Sequence, residues 1–277
     1  MKRIYLLTLA LLFTAFSFAQ KKDKLKGSKT VTVTQKEIGE FKNLEVEDNI
    51  EVFLVKGGAQ ALEIEADDNL HEAIQADVNG NTLRIYTSKD ISGFKKLSVR
   101  ITYTGSLRVI TAKHETVLNA LSDLELDSIT VKNFDYSKSY LNVKSKSFSL
   151  IMNDKTKAEI NLKADNSFVE LSKNAEIKAL IASPAVKFDM YQKTVAIIEG
   201  DAETAILRID NNASFTGKKF TVKKMELVAE GYSVCDVMAT DTISISANGK
   251  AETQLFGSPK IEMKSFADSA VLYKKEL

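Results

Sequence analysis

Leu227-Val-Ala-Glu-Gly-Tyr-Ser-Val-Cys-Asp-Val237, Ile245-Ser-Ala-Asn-Gly-Lys-Ala-Glu-Thr-Gln-Leu255 and Met263-Lys-Ser-Phe-Ala-Asp-Ser-Ala-Val-Leu-Tyr273 are one short pattern written three times, with successive starts 18 residues apart. Stacked, every second position forms a column: Leu227/Ile245/Met263, Ala229/Ala247/Ser265, Gly231/Gly249/Ala267, Ser233/Ala251/Ser269, Cys235/Thr253/Val271 and Val237/Leu255/Tyr273. The positions between them are polar or mixed. Alternation at period two marks a strand with one buried face. Repetition at a fixed period marks stacked coils, because so short a unit buries its apolar face only against the units above and below it.

Working outward from this triplet, Leu207 to Phe215 falls into the same columns twenty residues before Leu227. Looser lines lie around Ser147, Ser167 and Ala185. A further copy near Ala202 is only eleven residues from Ala213, which reads as a second strand within one turn. Upstream, Thr30–Thr34 and Leu44–Val55 alternate, and Asn79-Gly80-Asn81 signals a hairpin between Ala76–Val78 and Thr82–Tyr86. Asp67-Asp68-Asn69 reads as a helix N-cap ahead of Leu70–Ile74. No Pro/Gly/Ser-rich linker interrupts the pattern, so residues 30–277 read as a single domain with an N-terminal cap. The charged end, Lys274-Lys-Glu-Leu277, suits a last coil whose open edge would otherwise invite pairing.

The chain has 277 residues, enough to bury a core without disulfide or metal. With 38 basic and 37 acidic residues, it lacks the strongly basic balance that a nucleic-acid partner calls for. Two prolines and no Trp, with many Val, Ile and Thr, favour strands throughout. Lys2 and Arg3 followed by the apolar run Ile4–Phe18 and a Ser17-Phe18-Ala19 junction make 1–19 a signal peptide, with Gln20 as the mature N-terminus. No later stretch is long and apolar enough to span a bilayer. The reading is an exported protein, periplasmic or extracellular. Gln20–Lys29, rich in Lys, reads as a flexible solvated leader. The single cysteine, Cys235, shares a column with Thr253 and Val271 and reads as a small buried side chain.

The residues 41–52 (Phe41-Lys-Asn-Leu-Glu-Val-Glu-Asp-Asn-Ile-Glu-Val52), 67–70, 79–85 and 97–102 resemble the opening of the GIN-domain family of autotransporter adhesin heads. Ala247–Lys260 resembles that family's small-residue motif followed by an aromatic-Gly-x-Pro turn, here Phe256, Gly257 and Pro259. The likeness covers roughly residue 38 to the end. The sequence departs from the family where Gly-Ser-Gly is favoured, placing Ala-Glu-Gly, Ala-Asn-Gly and Phe-Ala-Asp there. The resemblance implies a right-handed parallel β-helix (solenoid), so that with the N-terminal β-rich cap and one short helix read above the chain is expected to be all-β. It also implies export and a role in adhesion or at the cell envelope, and it brings no catalytic residues.

Glu65, Asp67 and Asp68 form the densest local carboxylate group, and they read as a turn and helix cap. The two histidines, His71 and His114, lack metal-ligand spacing, and no nucleophile elbow, phosphate loop or calcium nonapeptide is present. No catalytic residue, cofactor or metal is therefore expected. Tyr232, Phe266 and Leu272 are read as outward-facing candidates for contact with a glycan or an envelope protein. Asp127-Ser128-Ile129, Asp241-Thr242-Ile243 and Asp268-Ser269-Ala270 resemble the acceptor triplet for O-glycosylation of exported Bacteroidota proteins, with Ser128, Thr242 and Ser269 as acceptors; Ser269 falls in an inward column. The reading is a non-enzymatic adhesin-like scaffold. The alternative is a carbohydrate-active β-helix enzyme, a polysaccharide lyase or hydrolase working in a groove along the coils.

Overall fold

The structure, a computed structural model, describes residues 22–276. The expected signal peptide over 1–19 lies outside the described residues. Strand and turn dominate, wound into a parallel β-solenoid of about nine turns with one short helix. The N-terminal part comprises β1 (Lys24–Lys26), β2 (Val31–Lys36), β3 (Asn43–Val46), β4 (Glu51–Lys56), β5 (Ala61–Asp67), a 3-10 helix (Asp68–Ala73), β6 (Ile74–Asn79), β7 (Thr82–Thr87), β8 (Asp90–Ser92) and β9 (Leu97–Tyr103). The stacked part comprises β10 (Val109–Ala112), β11 (Val117–Asn133), β12 (Lys138–Met152), β13 (Lys157–Leu171), β14 (Glu176–Ala182) and β15 (Ala185–Met190). It continues through β16 (Val195–Ile209), β17 (Ser214–Ala229), β18 (Val234–Ala247), β19 (Glu252–Phe256), β20 (Lys260–Phe266) and β21 (Val271–Lys274).

Each coil contributes to two sheets. The first half of β13 pairs with β14 and its second half with β15, both in parallel, so a long strand turns a corner and runs on in the second sheet. This explains the second strand read within one turn near Ala202. One inward column of the second sheet runs Val131, Leu150, Val169, Phe188, Leu207, Leu227 and Ile245. All seven are buried. Each side chain of this kind contributes about 1.5–3 kcal/mol on burial. A slip of one residue would turn the whole set to solvent, and this fixes the register. Across the interior the two sheets meet through Phe188 and Phe215, whose rings sit edge to face at 5.5 Å.

The coils are joined by two-residue turns stacked into a ladder. Asp48-Asn49, His114-Glu115, Asp135-Tyr136, Asp154-Lys155, Lys173-Asn174, Gln192-Lys193 and Asn211-Asn212 all have positive φ at both residues. Asn and Asp tolerate that conformation best among residues with a side chain. In the later turns only the first residue, Gly231, Gly249 or Asp268, has positive φ. At Gly249 an added Cβ would lie 2.8 Å from the carbonyl oxygen of Gly231 in the coil above, so the glycine there serves close stacking as well as φ.

The run Leu44–Val55 is itself a complete coil. β3 lies between β7 and β10, and β4 between β9 and β11, all parallel, although β7 and β9 come later in the chain. Beyond this coil both sheets change to antiparallel pairing, through β5 and β2 on one side and the β6–β7 hairpin on the other.

Several expectations change. Asp67-Asp68-Asn69 caps no helix with a side chain, and the helix that follows is 3-10 in form. These residues instead grip the leader: Asp67 accepts the N–H of Lys29 at 2.8 Å, Ser28 Oγ donates to Asp68 at 2.5 Å, and Asn69 donates to the Lys26 carbonyl at 2.8 Å. The leader read as solvated therefore contains β1, which pairs in parallel with β8. In the third copy Ile245 pairs with Met263 but Ser246 pairs with Ser265, so Lys264 is an extra residue. A bulge costs little on a strand with no neighbour on its far side. Every later residue of that copy is displaced by one. Leu272 thus stacks under Thr253 in the inward column and is half-buried, not outward, while Tyr273 takes the outward position and Ser269 is exposed, not inward. Phe266 stacks on the buried Ala247 and is 43% exposed because no coil covers it from below.

Cys235 sits in the column Ala196, Phe215, Cys235, Thr253 and has no accessible surface. Burial pushes its thiol up to about 12. Native protein is expected to resist a thiol reagent at neutral pH and to react once unfolded in urea, and Cys235→Ala to cost about 1 kcal/mol. Stoichiometric labelling of native protein within the dead time of unfolding would contradict the buried register.

Candidate binding face

The first sheet presents a flat outward surface, because alternate residues of each strand point away from the core. One outward column reads Arg100, Phe53, Asn119, Tyr140, Glu159, Lys178, Ile197, Thr216, Asp236, Gln254 and Tyr273. The next reads Asn142, Asn161, Leu180, Glu199 and Lys219. Tyr140, Leu180 and Ile197 are 40, 53 and 39% exposed and border a shallow depression of about 430 Å³. Around this apolar island lie polar ladders set by stacking. Asn161 donates to Asn142 at 2.8 Å, Lys157 meets Glu176 at 2.8 Å, and Lys219 meets Glu199 at 3.0 Å. An apolar centre with a rim of amides and paired charges can stack against a sugar ring or an apolar side chain while hydrogen-bonding its edges.

The sequence-derived candidates lie elsewhere. Tyr232 is 59% exposed in the turn ladder, with the Lys250 ammonium 5.2 Å over its ring. Tyr136, at the same turn position of an earlier coil, carries Lys155 at 5.4 Å in the same manner. Phe266 and Leu272 belong to the uncovered last coil. Ser128 and Thr242 are both exposed and share one corner column, linked coil by coil through Ser147, Asn166, Ala185, Thr204 and Lys224. Ser269 lies apart from them, in the last turn. Phe256, Gly257 and Pro259 form the corner between β19 and β20. Gly257 has φ +82, and an added Cβ would sit 2.2 Å from the Ala239 carbonyl oxygen. Gly257→Ala is therefore expected to lower stability by at least about 2 kcal/mol, read as the urea midpoint. An unchanged midpoint would remove the structural role of this corner.

Phe53, Tyr140, Leu180 and Ile197 escaped the sequence reading. Their signal was present as apolar residues on the outward phase of an alternating run, as in Lys178-Ala-Leu180-Ile181.

Among the described residues, Glu47, Asp48 and His114 place one ligand atom each within 4.8 Å of one another, a grouping able to hold a metal ion. The carboxylates already have cationic partners. Arg84 binds both oxygens of Glu47 at 3.1 and 3.3 Å, and Lys22 meets Asp48 at 2.5 Å. Burial raises the Glu47 carboxyl, and the Arg84 hydrogen bond and the charges of Arg84 and Lys113 outweigh it, leaving it below the usual carboxylate range. The His114 ring lies 3.6 Å from Glu47, 3.7 Å from Asp48 and 3.5 Å from Asp135, bridging neighbouring coils. The expected carboxylate group near Asp67 is divided: Asp67 is turned inward to backbone N–H groups, and Glu65 faces Lys96 on the outer side. His71 hydrogen-bonds Thr32 and Thr34 of β2 at 2.8 and 2.9 Å.

The fold is thus a parallel β-solenoid closed at one end by an antiparallel cap, and the comparisons with known proteins agree. The family model described as "Putative auto-transporter adhesin, head GIN domain" matches residues 40–259. The chain belongs to that family. It is similar in fold to a protein of Parabacteroides distasonis described as a "putative adhesin" (TM-score 0.68, 15% identity, covering 92% of this chain and 100% of that one). A "putative adhesin" of Parabacteroides merdae gives TM-score 0.62 and 16% identity over 92% and 99% of the two chains. A "putative lipid binding protein" of Parabacteroides distasonis gives 0.64 and 14% over 92% and 100%. No curated protein matches the chain. Among the described residues no helix is long and apolar enough to cross a membrane, which leaves β-barrels unaddressed.

Proposed function

We propose that this chain is an exported, non-catalytic, adhesin-like component of the cell envelope that uses the flat outward face of its first sheet to bind a glycan or an envelope protein. The observation that carries this reading is the exposed trio Tyr140, Leu180 and Ile197, with Leu180 and Ile197 on adjacent coils and Tyr140 two coils from Leu180 across Glu159 and Asn161, framed by amide and ion-pair ladders. A parallel stack holds such side chains at about 4.8 Å spacing on a rigid base, so little ordering is needed on binding. The family description supports an adhesive role. Ser128 and Thr242 on their shared corner would carry glycan, if modified, clear of this face.

The test is a glycan array with mature protein, run beside a reducing-end assay on the same polysaccharides and a pull-down from envelope preparations. Retention without release of reducing ends is the expected result. Cleavage of any retained polysaccharide would replace this reading with the enzyme, and failure to bind either glycan or envelope material would remove it.

A further inference from the structure

We propose that the chain forms a two-fold symmetric dimer through the free edge of β2, the occupant of that edge being the same strand of a second copy. Among the described residues β2 pairs on one side only, with β5. The Thr30 carbonyl accepts the Asp68 N–H at 2.8 Å. By the alternation of an antiparallel ladder, Thr32 and Thr34 then direct their backbone groups to β5, and Val31, Val33 and Gln35 direct theirs to the open edge. An open edge of this length is a template for strand pairing unless it is guarded.

The solenoid's other edges are guarded. At the far end, β20 carries Lys260, Lys264 and the register shift at Lys264, while β21 runs into Lys274 and Lys275. On the other sheet of the cap, β6 carries Asp77. β2 has no bulge and no charge before Lys36, and Val33 is 55% exposed.

The sequence of the edge is also self-complementary. Thr30-Val31-Thr32-Val33-Thr34 reads the same in both directions. A two-fold axis at Thr32 sets Val31 opposite the second copy's Val33 and Thr30 opposite its Thr34. The open-edge groups of Val31 and Val33 then pair as hydrogen-bonded residues. Gln35 comes to face Lys29, and Lys36 faces Ser28, so no like charges meet. Thr–Thr pairs are among the favourable cross-strand combinations, and β-branched Val suits a strand. The interface is isologous, as a closed dimer requires. Directly opposed residues of antiparallel strands point to the same side, so the outward faces of both first sheets would look the same way and could engage one surface together.

Sedimentation velocity and light scattering on the mature chain test this. Wild-type protein is expected at twice the monomer mass, falling to the monomer on dilution. Val33→Lys puts a charge on each strand beside the axis, and Val33→Pro removes an N–H that the monomer leaves unpaired, a change edge strands tolerate. Both are expected to be monomeric, with the urea midpoint that wild-type protein shows when diluted to the monomer. If Val33→Pro fails to fold, Val33→Lys decides alone, since its side chain is more than half exposed. A monomeric wild-type chain at all concentrations, or a dimer that survives Val33→Lys, would overturn the proposal.

Discussion

Ala251→Lys is expected to lower stability by more than about 3 kcal/mol and to fray the last two coils, because it places a long charged side chain in a column whose neighbouring members are all small. From the second coil on, that column follows each turn as Thr116, Ser137, Thr156, Ala175, Thr194, Ala213, Ser233 and Ala251, linked by N–H to carbonyl bonds from the residue after each member to the member one coil earlier; the larger Ile50 holds the same place only in the first coil, far from Ala251. All are buried. With coils about 4.8 Å apart, a larger group at Ala251 meets Ser233 above and Ala270 below at once. Lys250→Ala, one residue away, removes an exposed ammonium whose contact is the Tyr232 ring and is expected to cost about 0.5 kcal/mol. Urea midpoints of the two variants give the comparison. Equal midpoints would mean that residues 250 and 251 lie in a loop and not in a stack.

Asp67→Ala is expected to cost about 3 kcal/mol and to release the leader from the cap. The Asp67 side chain is buried and accepts N–H groups of Lys29 at 2.8 Å, Lys95 at 3.0 and 3.1 Å and Lys96 at 3.0 Å. It joins three segments far apart in sequence, and removing it leaves their donors without an acceptor. Gly27 lies so close that an added Cβ would sit 2.3 Å from the carboxylate, which leaves no room for a substitute ligand. Burial raises the Asp67 carboxyl, and the hydrogen bonds from Lys96, Lys29 and Lys95 outweigh it and hold it below the usual aspartate value. A depressed folded value contributes stability that is complete above the unfolded value of about 3.9 and is lost as pH falls through the folded one. Wild type should therefore lose stability as pH falls below about 4, and Asp67→Asn should be weaker at neutral pH with a flatter acid limb. Parallel acid limbs for wild type and Asp67→Asn, followed by urea unfolding across that range, would contradict this clamp.

The stack was legible because its cause is periodic. Leu207, Leu227 and Ile245 fall on one phase of an alternating pattern, and burial on that phase is what a strand between two neighbours requires. The last coil was misread by one residue for a reason the alternation cannot carry: Lys264 is accommodated by a bulge, and small residues such as Ala267, Ser269 and Ala270 keep either phase plausible. The clamp at Asp67-Asp68-Asn69 was legible as a cluster of hydrogen-bonding side chains near a helix start. Its partners, Lys26–Lys29 and Lys95–Lys96, are set by the return of β9 beside β5, a long-range pairing that local patterns do not encode. The insertion of β3–β4 between β7–β9 and β10–β11 is hidden for the same reason. The binding face was hidden because the clearest repeat lies near Tyr232, whereas Tyr140, Leu180 and Ile197 come onto one face only once β12, β13, β14 and β16 are placed in register.

The claim that binding resides on the first sheet is tested most directly by the retention of mature protein on envelope preparations, comparing Leu180→Lys with Ile197→Lys together against Ile206→Lys. Ile206 is 44% exposed but lies on the second sheet, between Lys187 and Glu226. All three side chains are on outward phases, so the fold should tolerate each change. The account predicts that the first pair loses at least about tenfold in affinity, equivalent to about 1.4 kcal/mol, while Ile206→Lys binds as wild type. Equal retention of all three proteins, or loss confined to Ile206→Lys, would contradict it.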